Sequence, residues 1–133
     1  MLFEEAPWAQ GLETQSPSAI AVREWWDSAQ RVYPANTQRA WRADWLAYDS
    51  FCRERGHTTA PAMAATVAAF VEACGEQGKK PATIRRYLTT IALAHRVAKF
   101  ENRCTSEPVR HALKGLTNEV STRQRQAREL GWV

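Results

Sequence analysis

Apolar residues recur at intervals of three and four positions along most of the chain, which is the period of an amphipathic α-helix. No segment alternates apolar and polar residues as a half-buried strand does. The pattern predicts five helices, over about residues 17–32, 36–55, 58–74, 81–100 and 106–120. The predicted fold class is therefore all-α, a small bundle of four to five helices joined by short loops.

Residue types at the helix ends support these boundaries. Ser16 is placed to accept hydrogen bonds from the first turn of a helix, with Pro17 at the first helical position. Asn36 is the predicted N-cap of the second helix, and Gly56 is its predicted left-handed C-cap. Together the five helices form one predicted domain over residues 16–120.

The two ends of the chain lack this apolar period. Residues 1–15 are predicted to form a flexible N-terminal arm, from which Trp8 and Leu12 are able to dock on the domain or on a neighbouring molecule. Residues 121–133 are mostly polar and basic at their start, without a helical apolar stripe, and are interpreted as a linker.

Aromatic side chains follow one face of the second helix, at Trp41, Trp45, Tyr48 and Phe51. This spacing is typical of residues that pack in a core, and we favour that interpretation over a platform for stacked bases. His95 lies on the apolar face of the fourth helix, where a structural histidine is a better interpretation than a catalytic one.

Charge divides the 133-residue chain unevenly. The net charge is +4, with a balance of −2 over residues 1–70 and +6 over residues 71–133. A basic half on a small domain indicates a polyanionic partner, most often nucleic acid, although a solvated basic surface would have the same composition.

The sequence contains no motif that indicates a metal site or a nucleotide cofactor. A glycine-rich phosphate loop, HExxH, GxSxG and CxxC are all absent, and the histidines and cysteines lack the close spacing of metal ligands. We expect no cofactor, no metal and no small-molecule ligand. The three cysteines are widely spaced, the start is acidic, and no apolar stretch approaches the roughly 20 residues of a membrane span. These features predict a cytoplasmic protein with reduced thiols and no membrane contact.

Basic residues gather at the predicted start of the fourth helix, in the segment Lys79-Lys80-Pro81-Ala82-Thr83-Ile84-Arg85-Arg86. Backbone N–H groups at a helix start favour phosphate, and an arginine fork matches the O6 and N7 atoms of guanine. We therefore expect Lys79, Lys80 and Thr83 to contact phosphates and Arg85 and Arg86 to reach base edges.

Two further pairs of basic residues extend this hypothesis. Arg39 and Arg42 lie near the start of the second helix, so the two basic helix starts are able to straddle one major groove. Arg110 and Lys114 share a face of the fifth helix.

Four segments of the chain resemble the core-binding domain of tyrosine recombinases, the family of phage integrases and Cre-like proteins. They are Asn36-Thr37-x-x-Ala40-Trp41-x-x-Asp44-Trp45-x-x-Tyr48-x-x-Phe51-Cys52, Pro61 with Val67-x-x-Phe70-Val71, Lys80-Pro81-Ala82-Thr83-Ile84-Arg85-Arg86-Tyr87-Leu88-x-x-Ile91-x-x-x-His95, and Pro108-Val109-x-x-Ala112-Leu113-Lys114-Gly115-Leu116. The order and spacing of these segments over five helices make the resemblance specific, and it covers about residues 16–130.

The resemblance implies a SAM-like helical domain that forms half of a clamp around double-stranded DNA at a recombination site. Its second and fourth helices would enter the major groove, and other protomers of the recombinase would be its protein partners in the synapse. The resemblance implies DNA-facing residues on the second helix, Arg39 and Arg42, and on the fourth, Thr83, Arg85 and Arg86, with Lys79 and Lys80 on phosphates. It implies Arg110 and Lys114 of the fifth helix as weaker candidates for contact with DNA.

Members of the family continue into a catalytic domain that holds a nucleophilic tyrosine. This chain departs from that pattern, because residues 123–130 resemble the interdomain linker and Tyr33, Tyr48 and Tyr87 are interpreted as structural. We therefore expect the chain to bind DNA without cutting it, either as an excised domain or as a truncated product. The full recombinase would cleave and rejoin strands through a phosphotyrosyl link.

Two other classes of function remain as alternatives. A helical protein–protein interaction module would use the apolar arm, with Phe3, Trp8 and Leu12 as contacts. An enzyme with an unrecognised site would need clustered titratable residues, and the sequence offers none at helical spacing.

Overall fold

The computed structural model describes residues 6–131, which form an all-α bundle and contain no strand. Its elements are a short 3₁₀ helix, Pro7–Ala9, followed by α1 (Pro17–Val32), α2 (Ala35–Arg55), α3 (Ala64–Glu76), α4 (Pro81–Val97) and α5 (Glu107–Glu129). The predicted fold class is confirmed. Expectations for Phe3 and for the last two positions lie outside the described residues.

The first two helices agree closely with the sequence analysis. The Ser16 hydroxyl accepts a hydrogen bond from the N–H of Ala19 at 3.1 Å, as predicted for an N-cap. Gly56 has a φ of 73°, the left-handed geometry expected of a C-cap. The prediction of Asn36 as N-cap is wrong, because Pro34 occupies that position and its carbonyl already accepts from the N–H of Gln38.

α3 begins at Ala64, six residues later than predicted, because the preceding loop makes tertiary hydrogen bonds. The Tyr48 hydroxyl donates to the carbonyl of Thr59 at 2.8 Å, and the N–H of Ala62 donates to Nε2 of His95 at 2.9 Å. These backbone groups are therefore used between elements and not within a helix.

α4 and α5 both differ from their predicted C-terminal ends. α4 ends at Val97, before Lys99 takes up a left-handed conformation with φ of 65°. α5 continues nine residues beyond Val120, so the predicted end of the fifth helix is wrong and residues 121–129, which were interpreted as a linker, are helical. Glutamine, arginine and alanine favour helix, and no glycine or proline interrupts this stretch.

The core forms around α4, whose apolar face packs against α1, α2, α3 and α5. Several side chains there have essentially no exposed surface, namely Val22, Tyr48, Val67, Val71, Ile84 and Ile91. The predicted core aromatic residues of α2 are also buried, at Trp45, Tyr48 and Phe51, and Trp41 packs against them from a half-buried position. α3 and α5 lie side by side, with Gly75 of α3 facing Leu116.

The N-terminal segment is docked on the bundle, so the prediction of a flexible arm is wrong for residues 6–9. Trp8 is 2% exposed. Its ring lies 5.4 Å from that of Trp25, 5.6 Å from that of Trp26 and 5.8 Å from that of Trp41, measured between centroids. The alternative that Trp8 docks on its own domain is the one that the structure adopts.

Candidate nucleic-acid interface

The start of α4 places four cationic side chains within two turns. Lys80 is the N-cap residue, Pro81 opens the helix, and no side chain caps the first turn. Lys79, Lys80, Arg85 and Arg86 are all exposed. The positive end of the helix dipole adds to their charge, so this end of α4 attracts anions.

A groove beside this helix start brings a further arginine to the same surface. The groove has a volume of about 470 Å³ and lies between the α3–α4 loop and α5. Lys79 and Lys80 line one side, and Arg123 and Gln124 of α5 line the other. Sequence reasoning missed Arg123 because it assigned this part of the chain to a linker. Leu116 and Val120, which precede Arg123 on α5, line the same groove. Their apolar side chains were the signal in the sequence that this part of the chain packs on the bundle.

Arg85 connects α4 to α5. Its Nη2 donates to the hydroxyl of Thr117 at 3.4 Å, and that hydroxyl donates in turn to the carbonyl of Leu113. Thr83 is half-buried in the first turn of α4. Arg85 therefore lies on the surface that α4 shares with α5, and its exposed side chain faces solvent there.

Arg86 lies on the other side of α4 and pairs with a buried carboxylate of α2. Its Nε and Nη2 donate to Oδ1 of Asp44 at 3.1 and 2.9 Å. The other oxygen of Asp44 accepts a hydrogen bond from Thr90 at 2.8 Å. The carboxylate is 1% exposed, whereas the arginine side chain is 57% exposed. Sequence reasoning did not find Asp44 as a partner, since 42 residues separate it from Arg86.

The remaining predicted residues have neighbours of their own. On α2, Arg39 donates to the side chain of Asn36, and the guanidinium of Arg42 lies 5.1 Å from the ring centroid of Trp26. On α5, Arg110 pairs with Glu107 at 3.2 Å, and Lys114 is exposed. The structure thus groups the α4 residues at one helix start, while those of α2 and α5 lie on adjoining elements.

The predicted structural histidine is confirmed as a core residue. His95 is 2% exposed. Its Nε2 accepts from the N–H of Ala62, and its Nδ1 lies 2.8 Å from the carbonyl of Ile91. Burial lowers the pKa of His95, so the neutral ring is favoured. Both ring nitrogens of His95 therefore contact backbone groups inside the fold.

Nucleophilic side chains in the core are kept protonated. Burial raises the pKa of Tyr48, whose hydroxyl donates to the carbonyl of Thr59. Burial likewise raises the pKa of Cys74 and of Cys104 to about 11. Within residues 6–131, no group of three or more His, Cys, Asp and Glu side chains is suited to a metal ion. No described helix combines the length and apolarity of a membrane span.

The family model described as phage integrase, N-terminal SAM-like domain, matches residues 22–117. This match covers more than half of the chain, from α1 to the middle of α5. A comparison with curated proteins gave no match.

Proposed function

Because the chain belongs to the phage integrase N-terminal SAM-like domain family, which serves site-specific recombination, we propose that it is the DNA-binding domain of a tyrosine recombinase. The observation that carries the proposal is the cluster of exposed cations at the start of α4. Lys79 and Lys80 share a groove with Arg123, and Arg85 and Arg86 follow within two turns.

The chemistry of each side chain determines whether we assign it to phosphates or to base edges. Lys79, Lys80 and Arg123 contact phosphates, which supplies affinity without sequence preference. Arg85 and Arg86 lie further along α4, and a guanidinium is the side chain best matched to the edge of guanine in the major groove. Arg39 and Arg42 on α2 and Arg110 and Lys114 on α5 would contact the flanking backbone.

Strand cleavage and rejoining are proposed to belong to a catalytic domain of the same recombinase. The tyrosines described in this domain are built into its fold: Tyr48 and Tyr87 are buried, and the ring of Tyr33 packs on Trp41. The domain would grip the recombination site, next to other protomers, while chemistry takes place elsewhere.

The alternative function, a protein–protein interaction module, depends most on Trp8 being accessible to a partner. Trp8 is 2% exposed and lies among three other indoles, so its ring is part of the core. A partner would have to displace it from that cluster.

The test is a titration of duplex DNA by fluorescence anisotropy over a series of salt concentrations. Each phosphate that the protein neutralises contributes about −0.9 to the slope of log K against log[salt]. We expect Lys79→Ala/Lys80→Ala to make the slope shallower by about 0.9 for each phosphate that the variant no longer neutralises. The control, Arg31→Ala/Arg103→Ala, removes the same charge from exposed positions on α1 and on the α4–α5 loop. Equal slopes for the two double variants would refute the assignment to α4.

A further inference from the structure

The pairing of Arg86 with Asp44 uses only one edge of the guanidinium. The group has five N–H donors in a rigid plane. Asp44 accepts from Nε and from one hydrogen of Nη2. The outer edge, made by Nη1 and the second Nη2 hydrogen, presents the parallel donors that match O6 and N7 of guanine. Because the side chain of Arg86 is 57% exposed, a partner in solution has access to it.

The carboxylate that holds Arg86 is itself fixed in place. Thr90, which is 2% exposed, donates to the second oxygen of Asp44. The carboxylate therefore contacts α4 at two points one turn apart, and it has little freedom to rotate. An arginine held by such an acceptor is ordered before it meets a ligand, so less side-chain entropy is lost on binding.

We propose that Asp44 is a positioning residue for sequence readout, which fixes the guanidinium of Arg86 so that its outer edge addresses one guanine in the major groove. The inference rests on the proposed function and deepens it, because it separates a residue that reads sequence from those that contact phosphate. Thr90 completes the arrangement by anchoring Asp44.

Fold stability alone does not require a charge at this position. Taking a carboxylate out of water is unfavourable, and apolar residues often replace buried ion pairs with no loss of stability. Arg85 provides a matched comparison on the same helix. It is also exposed, but its Nη2 contact is with a neutral hydroxyl at 3.4 Å. Of these two neighbouring arginines, Arg86 is the one that a buried carboxylate orients.

The experiment selects preferred sites from a randomised pool of duplex DNA with the wild-type domain. Affinities are then measured for the best site and for sites with single base-pair changes. The variants are Arg86→Lys, Asp44→Ala and Asp44→Asn, with Arg31→Lys at an exposed position of α1 as the control. A bidentate contact to one base discriminates by about tenfold or more, which sets the size of the expected preference.

We expect Arg86→Lys to abolish the preference at one base pair while the salt slope stays unchanged. Asp44→Ala should weaken the preference at that same pair, and Asp44→Asn should restore part of it because its Oδ1 still accepts from Arg86. Combining Asp44→Ala with Arg86→Lys should reduce the preference no further than Arg86→Lys alone. Arg31→Lys should leave that pair unaffected.

The two hypotheses fail in different ways. A wild-type domain that binds duplex DNA without salt dependence would overturn the proposed function and this inference together. Salt-dependent binding in which Asp44→Ala keeps the full preference, or reduces it equally in the Arg86→Lys background, would overturn the inference alone. If Asp44→Ala does not fold, Asp44→Asn and Thr90→Val take its place. Both should reduce the preference at the Arg86-dependent pair, and full preference in both would refute the positioning role.

Discussion

The ring of His95 is held neutral by the two backbone groups that it contacts. A backbone N–H is only a donor, so Nε2 must accept from Ala62 and carries no proton. The proton therefore sits on Nδ1, which donates to the carbonyl of Ile91. Protonation of Nε2 would set two donors against each other inside the core.

This geometry predicts a loss of stability in mild acid. The pKa of His95 is lowered from an ordinary value of 6.5, so the unfolded state binds more protons below that pH. The contribution of the neutral ring is complete above pH 6.5 and is lost as the pH falls, with a slope of up to about 1.4 kcal/mol per pH unit. Urea unfolding between pH 7.5 and 5 measures it.

The matched variant for this prediction is His95→Gln, whose amide oxygen is able to accept from Ala62. It should show a flatter dependence of the unfolding free energy on pH than the wild type. His57 and His111 are present in both proteins, so the difference isolates His95. Parallel pH profiles would contradict the lowered pKa of His95 in the folded state.

α3 packs closely on α5 at Gly75, which has no Cβ atom. A Cβ at that position would overlap the end of the Leu116 side chain, and Leu116 lies between the two helices. We expect Gly75→Ala to lower the free energy of unfolding by up to about 1 kcal/mol, since the flexible end of the half-buried Leu116 has to shift and the helix propensity of alanine offsets part of that cost. Chemical denaturation measures the change.

A second glycine gives the opposite result and serves as the control. A Cβ added at Gly115 meets no atom within 4 Å. Gly115→Ala should therefore stabilise α5 by about 0.5–1 kcal/mol, through helix propensity alone. In a Leu116→Ala background, Gly75→Ala should cost much less. An unchanged cost there would show that the overlap is not with Leu116.

The helices divide into those that local signals define and those that tertiary contacts define. The start of α1 and the end of α2 follow from Ser16, Pro17 and Gly56, and the sequence predicts both. The start of α3 depends on hydrogen bonds from Tyr48 and to His95, which a linear pattern does not contain. The prediction ended the fifth helix at about Val120 because the apolar period stops there. The polar residues that follow favour helix by their intrinsic propensity, so α5 continues to Glu129.

The candidate interface shows the same division. The basic residues at the start of α4 are contiguous in the sequence, so their clustering was predictable. Arg123 and Asp44 were not, because 42 residues separate Asp44 from Arg86 and more than 40 separate Lys80 from Arg123. Contacts between elements that distant arise only from the packing of the bundle.

At the scale of the whole molecule, the N-terminal segment closes one end of the core. Trp8 packs against α1 and α2. We expect Trp8→Ala to lower the free energy of unfolding by about 3–5 kcal/mol, a large part of the stability of a small domain. Guanidinium unfolding followed by circular dichroism at 222 nm measures it.

The conservative variant Trp8→Phe tests how much of this stability comes from an aromatic ring at position 8. The Nε1 atoms of Trp8 and Trp26 are buried without a hydrogen-bond partner among the described residues. Trp8→Phe removes one such N–H and keeps an aromatic ring, so it should retain most of the stability. Equal losses for Trp8→Phe and Trp8→Ala would show that a phenyl ring does not replace the indole in this cluster, and would contradict the expectation.

The indole cluster also gives the domain a built-in optical signature. Four tryptophan rings, those of Trp8, Trp25, Trp26 and Trp41, lie with neighbouring centroids between 5.4 and 6.1 Å apart. At such separations their electronic transitions couple, and absorption is shared among the rings. The circular dichroism of the domain should therefore contain an exciton contribution from the indoles. That contribution should change when the N-terminal segment leaves the bundle and removes Trp8 from the cluster, while Trp25, Trp26 and Trp41 stay in contact, which makes docking of the segment visible without any added dye.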